Sequence, residues 1–217
     1  MSLAVKICGL KTEDAVDAAV EGGAAYVGFI FFPRSPRALA PDAAAVLRKR
    51  VPPAVRTVAV VVDADDTTLD RIMREVAPDL LQLHGRESPA RTAQLRRRYD
   101  RPVIKALPVA TAADLRDVAI YAKEADILLF DAKPGPEASR PGGNALSFDW
   151  ALMRGVKLQK PWLLAGGLTA DNLAEAVATS GAAAVDVSSG VERAPGEKDV
   201  ALIRRLLEVA KNMAVNA

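Results

Sequence analysis

Two side chains able to move protons each end a short apolar run. Cys8 follows Val5, Lys6 and Ile7 and directly precedes Gly9, so its sulfur could face the mouth of a barrel, where a thiolate serves as base or nucleophile. A small buried hydrophobe is the other reading of an unpaired cysteine. Asp131 ends the run Ile127 to Phe130, where a carboxylate can do chemistry, cap a helix or brace a loop. Arg37 lies in Phe32-Pro33-Arg34-Ser35-Pro36-Arg37, a loop stiffened by two prolines. Its guanidinium either meets a ligand carboxylate in a paired geometry or lies on the surface. His84, the single histidine, excludes two-histidine metal sites and is either site support or a strand-end residue held by hydrogen bonds.

Glycines and small hydroxyls recur at two further run ends, Gly166-Gly167 and Ser188-Ser189-Gly190. Backbone N–H groups in such turns, helped by the positive end of a short helix, suit a phosphate group. Tight connecting turns would account for either segment alone, but the pair together points to a phosphorylated ligand. The acidic run Asp63, Asp65, Asp66 fails as a calcium loop, because Thr68 and Arg74 stand where glycine and glutamate are required. These aspartates are expected to open a helix as caps. Gly190 to Gly196 fails as a nucleotide phosphate loop, since the spacing is one too long and Glu197 stands in the lysine position.

The elements that must position these residues alternate along the whole chain. Strands are expected at Val5 to Cys8, Tyr26 to Phe31, Thr57 to Val62, Leu80 to Leu83, Val103 to Ala106, Ile127 to Phe130, Trp162 to Ala165 and Ala184 to Val187. Amphipathic helices are expected at Thr12 to Glu21, Asp42 to Arg50, Thr67 to Val76, Pro89 to Tyr99 and Ala112 to Ala122, with later ones near Phe148, Asp171 and Lys198. Such alternation gives βαβ units and a parallel sheet. Eight units predict closure into one (β/α)8 TIM barrel spanning residues 1–217, with the active site at the C-terminal strand ends. Arg34, Asp63 and Lys105 also stand at or near those ends. The irregular stretch Ala132 to Ser147 has the length and Pro/Gly content of a lid.

Composition bounds the function. A length of 217 residues fits one domain, and a formal net charge of +2 gives no electrostatic case for nucleic acid or an anionic membrane. The basic run Arg96-Arg97-Arg98 falls on an expected helix and reads as a solvated face. No apolar run approaches the roughly 18 residues of a membrane span, and the N-terminus has no secretory pattern. One cysteine permits no internal disulfide. A cytoplasmic protein without an obligate protein partner is expected.

Across nearly its whole length the chain resembles the phosphoribosylanthranilate isomerase family. The resemblance is carried by Val5-Lys6-Ile7-Cys8-Gly9, Gly28 to Pro33 with Ser35 and Arg37, Leu81-Gln82-Leu83-His84-Gly85, Phe148-Asp149-Trp150, Gly166-Gly167-Leu168, and Asp186 to Glu192 continuing to Pro195-Gly196. It implies an Amadori rearrangement in tryptophan biosynthesis, with Cys8 as general base, Asp131 as general acid and Arg37 on the anthranilate carboxylate. No metal or organic cofactor is implied. One departure stands in the sixth loop, where Gly142-Gly143-Asn144-Ala145 has alanine at a usual glycine. Alternatives are a non-catalytic sugar-phosphate-binding barrel and other phosphate-binding barrel enzymes. The latter would need an early catalytic lysine, further metal-binding histidines, or an aspartate in place of Cys8.

Overall fold

Every second residue of a strand faces the same way, and in this chain that alternation sorts two cores. The computed structural model describes residues 2–135, 142–143 and 146–213. Eight parallel strands close into a barrel in sequence order: β1 Ala4–Cys8, β2 Tyr26–Ile30, β3 Arg56–Val61, β4 Leu80–Leu83, β5 Val103–Val109, β6 Ile127–Ala132, β7 Trp162–Leu164 and β8 Ala184–Val187. Closure pairs β1 with both neighbours, setting Cys8 opposite Gly28 and Lys6 opposite Asp186. Val58, Val60, Leu80, Ile104, Leu129 and Leu163 fill the barrel interior with Cys8. Val5, Ile7, Val27, Phe29, Leu81, Leu83, Leu128 and Phe130 face the other way and join the core under the helices.

The helices begin where local chemistry satisfies their first N–H groups. Thr12 caps α1 (Glu13–Glu21), accepting from the Ala15 N–H, and Asp65 caps α3 (Asp66–Val76), accepting from Thr68. Ser88 caps α4 (Pro89–Tyr99), whose first residue is a proline that has no N–H to leave unpaired. The remaining helices are α2 Pro41–Arg48, α5 Val118–Glu124, α6 Leu173–Ser180 and α7 Val200–Lys211. After β8 a short hairpin, β9 Glu192–Ala194 and β10 Glu197–Lys198, precedes α7. No helix among the described residues is long and apolar enough to cross a membrane.

The eight expected strands are all present, with β4 and β8 matching residue for residue. Two helices differ. The segment expected as one helix from Ala112 to Ala122 is a 3₁₀ turn, Ala112–Leu115, followed by α5. Asp114 explains the break, because its carboxylate accepts from the Ala110 and Thr111 N–H groups and from Lys133, a local arrangement that competes with helix continuation. The crossover expected as a helix near Phe148 is a 3₁₀ run, Trp150–Gly155, held between the Asp149 cap and Gly155. Of the acidic run, Asp65 caps α3, whereas Asp63 adopts φ 47° and accepts from the Arg86 N–H instead. Arg96 and Arg98 do lie on an outer helix face, paired with Asp126 and with Asp66 and Asp70.

Candidate active site

The residues that share Cys8's face of the sheet converge at the C-terminal mouth of the barrel. A cavity is lined there by Cys8, Arg37, His84, Asp131, Asp186 and Ser188, together with the glycines of loops six and seven. A concave site with a few convergent polar groups is the usual form of a small-molecule site. Cys8 ends β1 and is 4 % exposed. Gly28 makes room for it, since a Cβ at that position would lie 3.1 Å from the sulfur.

Cys8 sits in a charged setting. Lys6, two residues earlier on the same face and fully buried, donates to Asp186 Oδ1 at 2.9 Å. Burial opposes the charge on Lys6, but the Asp186 carboxylate and the nearby sulfur outweigh it and hold its pKa above the ordinary value. For Cys8 the balance runs the other way. Burial pushes the thiol up, and the Lys6 ammonium offsets only part of that. The resting group is therefore a thiol with a cation beside it.

Asp131, next to last in β6, turns its side chain into the same cavity. Its Oδ1 accepts from the Ala132 N–H at 2.9 Å, and its Oδ2 lies 3.2 Å from His84 Nε2. Gln82, on the same face of β4, places its amide nitrogen 2.9 Å from His84 Nδ1. With that amide donating, the imidazole carries its proton on Nε2 and donates to Asp131. A Cβ on Gly142 would lie 2.7 Å from both Asp131 Oδ2 and His84 Nε2, so only glycine lets the loop after β6 approach the pair so closely.

Arg37 is buried at 2 % exposure. Its Nε and Nη2 donate to the two oxygens of Glu192, each at 2.7 Å, and Nη2 also reaches the Gly143 carbonyl at 3.3 Å. The surface reading of this arginine is thus set aside. Around the other rim, Gly166 and Gly167 take φ 93° and 64°, conformations that favour glycine. Asn172 pins that turn, donating to the Gly167 carbonyl and accepting from the Thr169 N–H. Ser188 Oγ donates to the Cys8 carbonyl at 3.0 Å, and Ser189 opens a 3₁₀ turn, Ser189–Val191. Gly190 stands back from the cavity wall, packed so tightly on the Leu168 carbonyl that no side chain fits, and it joins the loops after β7 and β8.

The expected residues Cys8, Arg37, His84, Asp131, Gly166, Gly167, Ser188 and Ser189 are thus brought together. Lys105 and Asp63 are not. Lys105 points away from the barrel axis and donates to Leu83, Gly85 and Glu87. Of the expected lid, residues 136–141 and 144–145, Ala145 among them, lie outside the described residues. Sequence reasoning passed over Lys6 and Asp186, although the alternation that sets Cys8 and Ser188 inward sets these inward too. Among the described residues no group of three or more His, Cys, Asp or Glu side chains could hold a metal ion.

Residues 5–209 match the family model for N-(5'-phosphoribosyl)anthranilate (PRA) isomerase. The chain belongs to this family. An N-(5'-phosphoribosyl)anthranilate isomerase of Brucella canis is 53 % identical over 208 residues, which cover 96 % of this chain and 94 % of the relative. The crystal structure of phosphoribosyl anthranilate isomerase from Thermotoga maritima superposes with a TM-score of 0.86 at 33 % identity, covering 97 % of this chain and 100 % of that one. Another phosphoribosyl anthranilate isomerase structure, 31 % identical with a TM-score of 0.82, covers the same shares and holds reduced 1-(o-carboxyphenylamino)-1-deoxyribulose 5-phosphate. Within the PRA isomerase family, then, this barrel presents a thiol, a carboxyl group and a guanidinium at one mouth.

Proposed function

We propose that this chain catalyses the Amadori rearrangement of N-(5-phosphoribosyl)anthranilate to 1-(2-carboxyphenylamino)-1-deoxyribulose 5-phosphate, a step of tryptophan biosynthesis. The observation that carries the reading is the placement of Cys8 and Asp131 on different strands of one cavity wall, with Arg37 and the glycine turns on its rim. Asp131 protonates the ribose ring oxygen as the C1–O bond breaks, leaving an iminium at C1. His84 Nε2–H then stabilises the carboxylate left behind. Cys8, its thiol proton lost to solvent, removes the C2 proton as the thiolate. The C2–H electron pair forms the C1–C2 double bond of the enolamine as the iminium π pair returns to nitrogen, and protonation at C1 with loss of the enol proton gives the ketone.

The raised pKa of Cys8 fits this order of events. A positive iminium near the sulfur joins Lys6 in favouring the thiolate, so the base becomes effective once the ring has opened. Arg37 takes the anthranilate carboxylate, and Gly166, Gly167, Ser188 and Ser189 take the phosphate, with Gly190 shaping the turn. Cys8→Ala and Asp131→Asn should each lower kcat by on the order of 10² to 10⁴ while circular dichroism stays that of the folded barrel. Near-normal turnover in folded Cys8→Ala would reassign the base, and in folded Asp131→Asn it would leave the aspartate a loop brace.

A further inference from the structure

Two charged residues behind the cavity wall have no part in the acid-base steps. Glu192 and Lys198 face each other across the β9–β10 hairpin, each with a side chain 3 % exposed, and neither lines the cavity. Glu192 grips Arg37 through both carboxylate oxygens, and its Oε1 also accepts from Lys198 Nζ at 2.7 Å. Lys198 Nζ continues to the Ser188 carbonyl at 2.9 Å and to Ser188 Oγ at 3.2 Å. The hairpin turn touches the arginine loop as well. Gly196, at φ 84°, lies so close to the Pro36 carbonyl that a side chain would collide with it.

We infer that the β9–β10 hairpin is a positioning device for the two anionic ends of the substrate: Glu192 fixes the Arg37 guanidinium, Lys198 fixes the Ser188 loop, and their ion pair sets the spacing between them. The inference rests on the reading of Arg37 as the carboxylate site and of Ser188 as part of the phosphate site. An arginine has several rotamers, and a bidentate partner selects one. A backbone turn that binds phosphate must likewise hold its N–H groups still, and Lys198 ties down both the carbonyl and the hydroxyl of its first residue. Burial opposes the charges on both members of the pair. For Glu192, Arg37 and Lys198 overcome that opposition and lower its pKa, whereas for Lys198 burial prevails over Glu192 and its pKa is lowered too.

The test separates the two ends with two probes, anthranilate and inorganic phosphate, each measured as an inhibitor of the isomerase. Glu192→Gln should raise KM by about ten- to a hundredfold with a smaller change in kcat, and should weaken anthranilate more than phosphate. Lys198→Met should weaken phosphate more than anthranilate, and Lys198→Arg should recover most of that loss. If Glu192→Gln does not fold, Glu192→Asp keeps the charge but shortens the reach, and the same selective loss of anthranilate is expected. Unchanged KM in the folded variants, or equal loss of both probes in each, would overturn the inference. Arg37→Ala is the control: if it raises KM and the hairpin variants do not, only the hairpin's role fails. If wild type shows no isomerase activity, the functional reading itself fails.

Discussion

Two of the buried lysine–carboxylate pairs make an instructive contrast across the barrel wall. Lys6 and Asp186 meet at 2.9 Å inside it, and Lys105 and Glu87 meet at 2.8 Å outside it. Their surroundings differ. Lys105 has three oxygen acceptors, and Glu87 in turn accepts from the Asp63 and Gly85 N–H groups, so the cluster stitches the loops after β3 and β4 to β5. Lys6 stands next to the Cys8 thiol, and Asp186 shares the cavity wall with it. Which way a strand residue points therefore decides whether a buried charge serves as mortar or stands beside the proposed base.

The sharpest way to break that contrast is Lys105→Met, which leaves Glu87 buried without its cation. It should cost about 3–5 kcal/mol of unfolding free energy in urea, with kcat close to wild type at temperatures where the variant is folded. A large fall in kcat with little loss of stability would erase the distinction. Lys6→Met should show the reverse emphasis. Removing the ammonium that offsets the burial of Cys8 should push the thiol pKa further up and reduce kcat/KM at neutral pH by roughly tenfold.

The raised pKa of Cys8 also gives its own reactivity a definite sign. A thiol whose pKa lies above the usual range is mostly protonated at neutrality, so alkylation of Cys8 by iodoacetamide in the wild type should speed up by about tenfold per unit as pH rises above neutral. An alkylation rate already level at neutral pH would show that burial does not hold the thiol protonated. The smallest effect belongs to the stitched side. Ser88→Ala removes the cap of α4 next to Glu87 and should cost about 1 kcal/mol of stability, leaving kcat/KM unchanged.

The barrel was legible because its strands are short β-branched runs separated by capped helices, and local patterns carry both signals. Cys8 and Asp131 were legible because each ends such a run. Asp114, by contrast, misled, since a helix-compatible spacing gave no sign that its carboxylate would turn back on Thr111. The pairs that give the site its character were beyond local reading. Lys6 and Asp186 lie 180 residues apart, and Arg37 and Glu192 lie 155 apart, so each meets its partner only once the first and last strands have closed the ring. Alternation along β4, β5 and β8 was the unused signal. It separates inward Gln82, His84 and Asp186 from outward Lys105.

The seclusion of the single thiol has a chemical consequence of its own. Peroxides and disulfides are attacked by thiolates, and a thiol held 4 % exposed with a raised pKa offers them little to react with. On the proposed role of Cys8 as base, the burial that holds back proton abstraction until a cationic intermediate is present also shelters the enzyme between turnovers. Its one thiol is kept from the oxidation ladder by the walls of the barrel rather than by any sacrificial partner, the sequence having no second cysteine to form one.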